Sequence, residues 1–286
     1  MSRSVPELSG NVVITGANSV TGRELLRRLQ GGPARTTALV RTPTELPAHR
    51  VIPNWTEEPA ALDAIAGADA VIHLSGVFAA PDWKAYEEGT VTTTRRVVQA
   101  LAGRDTRLVY FSYVDAAPDA DNWYVRAKGL AEQELRAATN AVVFRIHPIV
   151  RGGASPAPFE LMLRQRGPGV PVRVYGDGTQ RSRPVALADV VTAAVAAAAG
   201  AGRPGTFDLG SPDELSVLEM VQLVNGAAVP VEKVSPEAAA AVPGPPPTVV
   251  DLLANLTPAR DVQGTADAFG FDLTPVSTIW PLSAGH

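Results

Sequence analysis

Tyr124 and Lys128 stand four residues apart in the stretch WYVRAK, and Ser112 closes the apolar run VYFS twelve residues before the tyrosine. On a helix, residues four apart share one face. A cation held near a phenol favours the phenolate and brings its pKa toward working pH, which is what a proton donor or acceptor needs. The lysine is informative for a second reason. Only Lys84, Lys128 and Lys233 are lysines among the 25 basic residues. In a chain so rich in Arg, Ala, Gly and Pro, lysine persists mainly where arginine cannot replace it.

A second group lies near the N-terminus, where TGANSVTG (15–22) follows the β-branched run NVVIT and opens a helical pattern, RELLRRLQ. Strand, glycine turn and helix are the setting a dinucleotide needs. Gly16 permits a tight turn, Gly22 permits close packing of helix on strand, and the amides around Asn18, Ser19 and Val20 can face a pyrophosphate. Ser19 replaces the middle glycine, so its side chain must turn away from the phosphates or bond to them. At the end of the next strand, ALVRTP, an acid would bind a ribose 2′-hydroxyl and an arginine would accommodate a 2′-phosphate. Arg41 occupies that place, which favours NADP over NAD.

The elements that must position these groups alternate. Strand patterns at 11–16, 36–41, 69–76, 106–112 and in NAVVFRIHP are separated by helical patterns, including NWYVRAKGLAEQELRAA. Such alternation predicts a doubly wound parallel α/β sheet with right-handed crossovers. Residues 1–150 form the dinucleotide-binding domain on this reading. After residue 151 the rhythm breaks into a Gly-, Pro- and Arg-rich stretch to 183, which reads as irregular. The helix and strand of 184–212 are expected to rejoin the sheet, and 151–286 to supply a smaller substrate-binding lobe. Its Pro-rich segment 242–249 is expected to exclude helix and central strand and, with 151–160, to form a mobile lid.

Bulk properties exclude several classes. The 286 residues are 45% hydrophobic and 19% charged, with a net charge of −4 and a pI near 5.6, so there is no basic field for nucleic acid. Without cysteine there is no disulfide or thiolate chemistry. His49, His73, His147 and His286 show no ligand spacing, so no metal is expected. The polar start and the short, Ala-rich run 190–202 predict no signal peptide and no membrane span. The expectation is a cytoplasmic monomer or homodimer.

Taken together, TGANSVTG, DAVIHLSG, VYFS, YVRAK, FRIHPIVRGG, YGDGTQRSRPVALADVV and FDLGS resemble the short-chain dehydrogenase/reductase superfamily, on its extended or atypical, epimerase/dehydratase-like side. The resemblance implies a Rossmann-type fold with cofactor contacts at Gly16, Asn18, Ser19, Val20, Gly22, Arg41, Leu74, Ser75, Gly76, Ser112, Lys128, His147 and Ile149. It implies that Tyr124 protonates a carbonyl oxygen, while Lys128 holds the nicotinamide ribose and lowers the tyrosine's pKa. Two positions depart from the family pattern. Its catalytic Ser or Thr maps onto Val114, leaving Ser112 as the nearest hydroxyl. The arginine that contacts the diphosphate in sugar-nucleotide enzymes is replaced by Ser182, between Arg181 and Arg183.

With Phe78, Trp83, Trp123, Phe159 and Met162 in segments that border the substrate side, the sequence reads as an NADPH-dependent ketoreductase. The expected substrate is a small-molecule carbonyl, aromatic or polyketide-like, of the kind met in antibiotic biosynthesis. Two alternatives stand: a sugar-nucleotide epimerase or dehydratase with bound NAD, and a non-catalytic NADP-binding regulator.

Overall fold

The computed structural model describes residues 6–153, 156–239 and 244–280. Its centre is a seven-stranded, all-parallel sheet built from β1 (Gly10–Thr15), β2 (Ala34–Leu39), β3 (Arg50–Ile52), β4 (Ala70–His73), β5 (Arg107–Tyr113), β6 (Ala141–Ile146) and β11 (Gly205–Leu209). The spatial order is β11-β6-β5-β4-β1-β2-β3. Strand order reverses between β1 and β4, the switch point where ligand crevices open in such sheets. The segment 184–212 does return to this sheet, since β11 pairs in parallel with β6.

Alternation along the strands sorts the two faces. Val12, Ile14, Ala70, Ile72, Val109 and Phe111 enter one core, with α1 (Val20–Leu29) and α7 (Leu187–Ala198) over it. Val13, Val71, Leu108 and Tyr110 enter the other, with α2 (Pro59–Ala66), α4 (Thr93–Ala100) and α5 (Trp123–Leu135). All seven residues of β5 are buried, as expected of a strand covered on both sides. Ahead of α4, the short helix α3 (Trp83–Tyr86) runs into a π-type turn, Glu87–Thr92. That turn presses Gly89 against Val77, where a Cβ would overlap the valine.

The second half departs from the expectation in two places. Residues 151–183 are not wholly irregular. Directly after β7 (Ile149–Val150) they contain α6 (Pro158–Leu163), β8 (Val172–Tyr175) and β9 (Arg181–Ser182). These short strands pair with β10 (Val185–Ala186), β13 (Val231–Val234) and β12 (Leu215–Ser216) respectively. Around them pack α8 (Val217–Asn225), α9 (Pro236–Ala239), α10 (Pro247–Ala254) and α11 (Val262–Phe269). The fully buried Glu160 carboxylate organises the stretch, accepting from the amides of Arg151, Gly152 and Ala157 and from the Trp280 indole N–H, all within 2.6–3.0 Å.

The Pro-rich segment is the second correction. Residues 242–243, like 154–155 of the other expected lid segment, fall outside those described, but α10 begins at Pro247. Proline is excluded from a helix interior, whereas at the first helical position its missing N–H removes nothing. The helix is also tied down. Asn122 donates to the Thr248 carbonyl at 2.9 Å and to Asp251 at 2.7 Å, and Leu252 packs on Tyr113 and Val125. Among the described residues no helix is long and apolar enough to cross a membrane.

Candidate functional site

At the switch point, a cavity of about 100 Å3 is lined by Gly16, Asn18, Ser19, Arg41, Leu74, Ser75 and Gly76, together with Trp55, Gly89 and Thr93. The first seven are residues the sequence reading placed on a cofactor. Gly16 has φ +61°, and a Cβ there would lie 2.9 Å from the Leu74 carbonyl carbon. Gly22 is as restricted, since its Cβ would lie 2.6 Å from the Ala17 carbonyl oxygen. Helix α1 therefore starts directly against the strand end, its first amides toward the crevice. The open question about Ser19 is settled. Its hydroxyl accepts from Gly22 N at 3.0 Å and caps the helix instead of reaching into the crevice. Val20 opens that helix and is exposed.

Trp55, Gly89 and Thr93 were not read from the sequence. Trp55 follows β3 in a loop with no pattern of its own, yet it is 1% exposed and its amide donates to the Val40 carbonyl. Arg41 is exposed at the cavity edge and has no ion-pair or hydrogen-bond partner among the described residues.

Tyr124 and Lys128 project from α5, whose N-terminus is capped by Asn122 through the amides of Tyr124 and Val125. The Tyr124 ring lies between Phe78 and Tyr113, at centroid distances of 5.2 and 5.4 Å, both edge-on. Lys128 is buried, and its ammonium donates to the Phe111 carbonyl at 2.7 Å and to the Tyr110 hydroxyl at 3.3 Å. Burial lowers its pKa to about 8, against the opposing pull of Glu132. The expected acidification of Tyr124 is not found in this arrangement. Nζ stands 5.9 Å from the ring centroid, and burial, followed by the neighbouring Tyr86, raises the phenol's pKa.

Ser112 is buried at the end of β5 with an Oγ that has no hydrogen-bond partner. On the next strand's exit His147 is buried too. Its Nδ1 meets Ser182 Oγ at 2.8 Å, its Nε2 is unpartnered, and burial lowers its pKa to about 4. Unpaired buried polar atoms are costly unless something satisfies them. Two of them beside the Tyr/Lys helix, with the glycine cradle at the other end, fit a dinucleotide whose carboxamide carries both donor and acceptor. Ile149 continues this edge as part of β7. Val114 is half-buried in the turn leaving β5.

Ser182 is fully buried on His147, and neither flanking arginine is spare. Arg181 binds Glu214 and Glu219, while Arg183 binds Glu214 and the carbonyls of Ser211 and Pro212. Trp83 and Trp123 pack around Arg126 and Tyr86, Phe159 lies in the core of the second half, and His49 binds Thr36. His286 is outside the described residues. A larger cavity of about 610 Å3, bordered by Met162, Arg164, Arg173, Tyr175 and Glu232, contains none of the expected catalytic or cofactor residues.

A parallel seven-stranded sheet with a glycine cradle at its switch point and a Tyr/Lys helix beside it defines a Rossmann-type protein of the extended short-chain dehydrogenase/reductase class. Within that class, the chain belongs to the NAD dependent epimerase/dehydratase family, whose sequence model matches residues 12–210. A curated relative, the ceramide reductase of Caulobacter vibrioides, is 29% identical over 170 residues, 57% of this chain and 54% of that protein. The chain thus spans about half the length of that relative. Among solved structures, UDP-glucuronic acid 4-epimerase from Bacillus cereus in complex with NAD is similar at TM-score 0.73 and 14% identity, over 95% of this chain and 96% of that one. MoeE5 in complex with UDP-glucuronic acid and NAD gives 0.72 and 20%, over 94% and 95%. WbmH of Bordetella bronchiseptica in complex with NAD+ gives 0.72 and 18%, over 96% of each chain. At such identities the likeness is one of fold.

Proposed function

We propose that the protein is an NADPH-dependent reductase acting on a carbonyl of an apolar small molecule. The observation that carries this reading is the aromatic setting of Tyr124 between Phe78 and Tyr113. Beside it, Arg181 and Arg183 are consumed by Glu214, so neither is left for a diphosphate. A hydrophobic cage of this kind selects a ligand by apolar burial. The ceramide reductase relative supports a lipid-like or other apolar carbonyl compound, and an aromatic or polyketide-type ketone would fill the same cage.

In this reading a bound nicotinamide supplies the hydride, and the chain supplies the rest. Gly16 and the start of α1 would seat the phosphates, Lys128 would hold a ribose hydroxyl, and Ser112 Oγ and His147 Nε2 would be there to meet the carboxamide. Tyr124 delivers the proton to the carbonyl oxygen. With Val114 at the family's hydroxyl position, polarisation of the carbonyl falls to Tyr124 alone or to a hydroxyl on the substrate itself. The test is NADPH oxidation with a panel of long-chain and aromatic ketones beside UDP-sugars. Turnover of the ketones, with UDP-sugars neither consumed nor competing, is expected. Epimerisation of a UDP-sugar would overturn the reading.

The solved structures named above carry NAD, whereas here Arg41 borders the cavity with no ion-pair or hydrogen-bond partner among the described residues, which supports a place for a 2′-phosphate. A guanidinium pairs with a 2′-phosphate in a charge-assisted, bidentate fashion. NADPH is expected to bind at least about tenfold more tightly than NADH, a difference of about 1.4 kcal/mol. Arg41→Ala is expected to erase it. Fluorescence titration of both cofactors measures this, and equal affinities in the unaltered protein would return the assignment to NAD.

A further inference from the structure

Thr15, His73 and Tyr110 form a row across three neighbouring strands. In the parallel register Thr15 lies opposite His73, and His73 opposite Tyr110. All three are buried on the face covered by α4 and α5, and the His73 and Tyr110 rings stack at 5.6 Å. Among the described residues, hydrogen bonds join this row to Lys128 at one side and to the cofactor cavity at the other.

The direction of each bond follows from counting protons. Thr15 Oγ1 accepts from the amides of Leu74 and Ser75, both at 3.1 Å, so its single proton goes to His73 Nδ1 at 2.7 Å. His73 therefore carries its proton on Nε2, which donates to Thr94 Oγ1 at 3.1 Å. The Thr94 hydroxyl donates to the Thr90 carbonyl at 2.7 Å. The Tyr110 ring stacks on the imidazole so held, and its oxygen accepts from Lys128 at 3.3 Å. Every polar hydrogen of Thr15, His73 and Thr94 is used. The neutral histidine this requires agrees with a pKa that burial, then Lys128, lower to about 3.

We propose that Tyr110 is a positioning residue for Lys128, its ring stacked on a His73 that is locked at one nitrogen by Thr94 and at the other, through Thr15, by the Leu74 and Ser75 amides in the wall of the cofactor cavity. Two of the three ammonium protons are directed to Phe111 O and Tyr110. The third therefore has a set direction. Gly76 lines that side, since a Cβ there would lie 3.5 Å from Nζ. The same contacts couple the lysine to the cavity wall, so a shift in the β4 exit loop reaches the amine through His73 and the ring stacked on it. This role rests on the cofactor-side reading of Lys128 given above.

The groups facing Lys128 are few. They are Tyr124 and Glu132 on its own helix, Tyr110 on β5, His73 on β4 and the hydroxyl of Thr90 at the π-type turn. Of these Glu132 is the one carboxylate, and it opposes the effect of burial. Removing the Tyr110 oxygen takes away a partner of the charged amine while the burial stays, so the lysine should become easier to deprotonate.

The three lysines make the test direct. In protein labelled with 13C-lysine and free of ligand, Lys128 is assigned with Lys84→Arg and Lys233→Arg and titrated by NMR. The unaltered protein is expected to show a midpoint near 8. Tyr110→Phe is expected to lower it by about one unit or more, as for loss of a hydrogen bond to a charged group. Thr94→Val is expected to lower it by less, and Thr94→Ser, which keeps the hydroxyl, to restore it. Should Tyr110→Phe not fold, the two Thr94 variants carry the test. A midpoint unmoved by both Tyr110→Phe and Thr94→Val, or by Thr94→Val alone where Tyr110→Phe does not fold, would overturn the proposal. Absence of turnover on any carbonyl would instead count against the reductase reading and leave this measurement intact.

Discussion

Replacing Tyr124 with phenylalanine is expected to lower turnover by about 10²–10⁴, the range for a positioned general acid, while the cofactor dissociation constant stays nearly unchanged. The phenol's oxygen matters when charge develops on the substrate oxygen, which is a transition-state contribution and not a ground-state one. The ring contributes separately. It packs between Phe78 and Tyr113, and phenylalanine preserves those contacts, so folding should be untouched. Steady-state kinetics with NADPH and an apolar ketone separate the two, with kcat falling and the cofactor affinity holding. Burial raises the Tyr124 pKa, so the group stays protonated through the neutral range and is suited to giving a proton in the reductive direction. Val114→Ser restores the second donor of the family pattern. It is expected to leave the rate unchanged or raise it on simple ketones, because a missing oxyanion donor typically costs about 10²–10³. Nearly full activity in Tyr124→Phe would mean that water or a hydroxyl of the substrate donates the proton, with YVRAK serving only to frame the cofactor.

What could be read from the chain was what local chemistry imposes. Gly16 and Gly22 are required by a turn that meets Leu74 and Ala17 too closely for any side chain, and such glycines mark themselves. Tyr124 and Lys128 announce a shared helix face by spacing. Ser182 was legible as a departure, but its consequence was not. That a buried Ser182 binds His147, and that Glu214 engages both flanking arginines, depends on pairings across 31 to 35 positions that no local pattern records. The same limit hid Trp55, which enters the cofactor cavity from a loop, and the partners of Lys128, which lie on a strand seventeen and eighteen residues away. Pro247 misled for a different reason. Proline speaks against a helix interior, and here it opens one. The pKa of Tyr124 went the opposite way from the spacing argument because burial, which spacing does not report, raises it, and the ammonium that would lower it stands 5.9 Å from the ring. That ammonium donates to Phe111 O at 2.7 Å.

Gly129→Ala is expected to reduce kcat by about 10²-fold although residue 129 meets no reacting group. In an isolated helix this change would stabilise, by up to about 1 kcal/mol. Here α5 lies directly on the loop that leaves β5. A Cβ on Gly129 would overlap the Ala117 carbonyl carbon and Pro118 nitrogen, and would lie 2.7 Å from Ala117 Cα. Those are backbone atoms with no rotamer to turn aside, so helix or loop must move. Forced overpacking of this kind costs about 1–3 kcal/mol, which exceeds the propensity gain, and a lowered midpoint of thermal unfolding should record the balance. The movement falls on Lys128, the adjacent residue, and on Tyr124, a little over one turn earlier, while Asn122 holds the helix start to α10. The helix therefore tilts about its capped end and carries the phenol and the amine by different amounts. Misplacement by about 1 Å is enough for a loss of the stated size. Cofactor binding should weaken less than turnover, because the glycine cradle at α1 is remote from the disturbance. If Gly129→Ala were instead more stable and fully active, the close approach of α5 to residues 117–118 would not be what sets the geometry of the site.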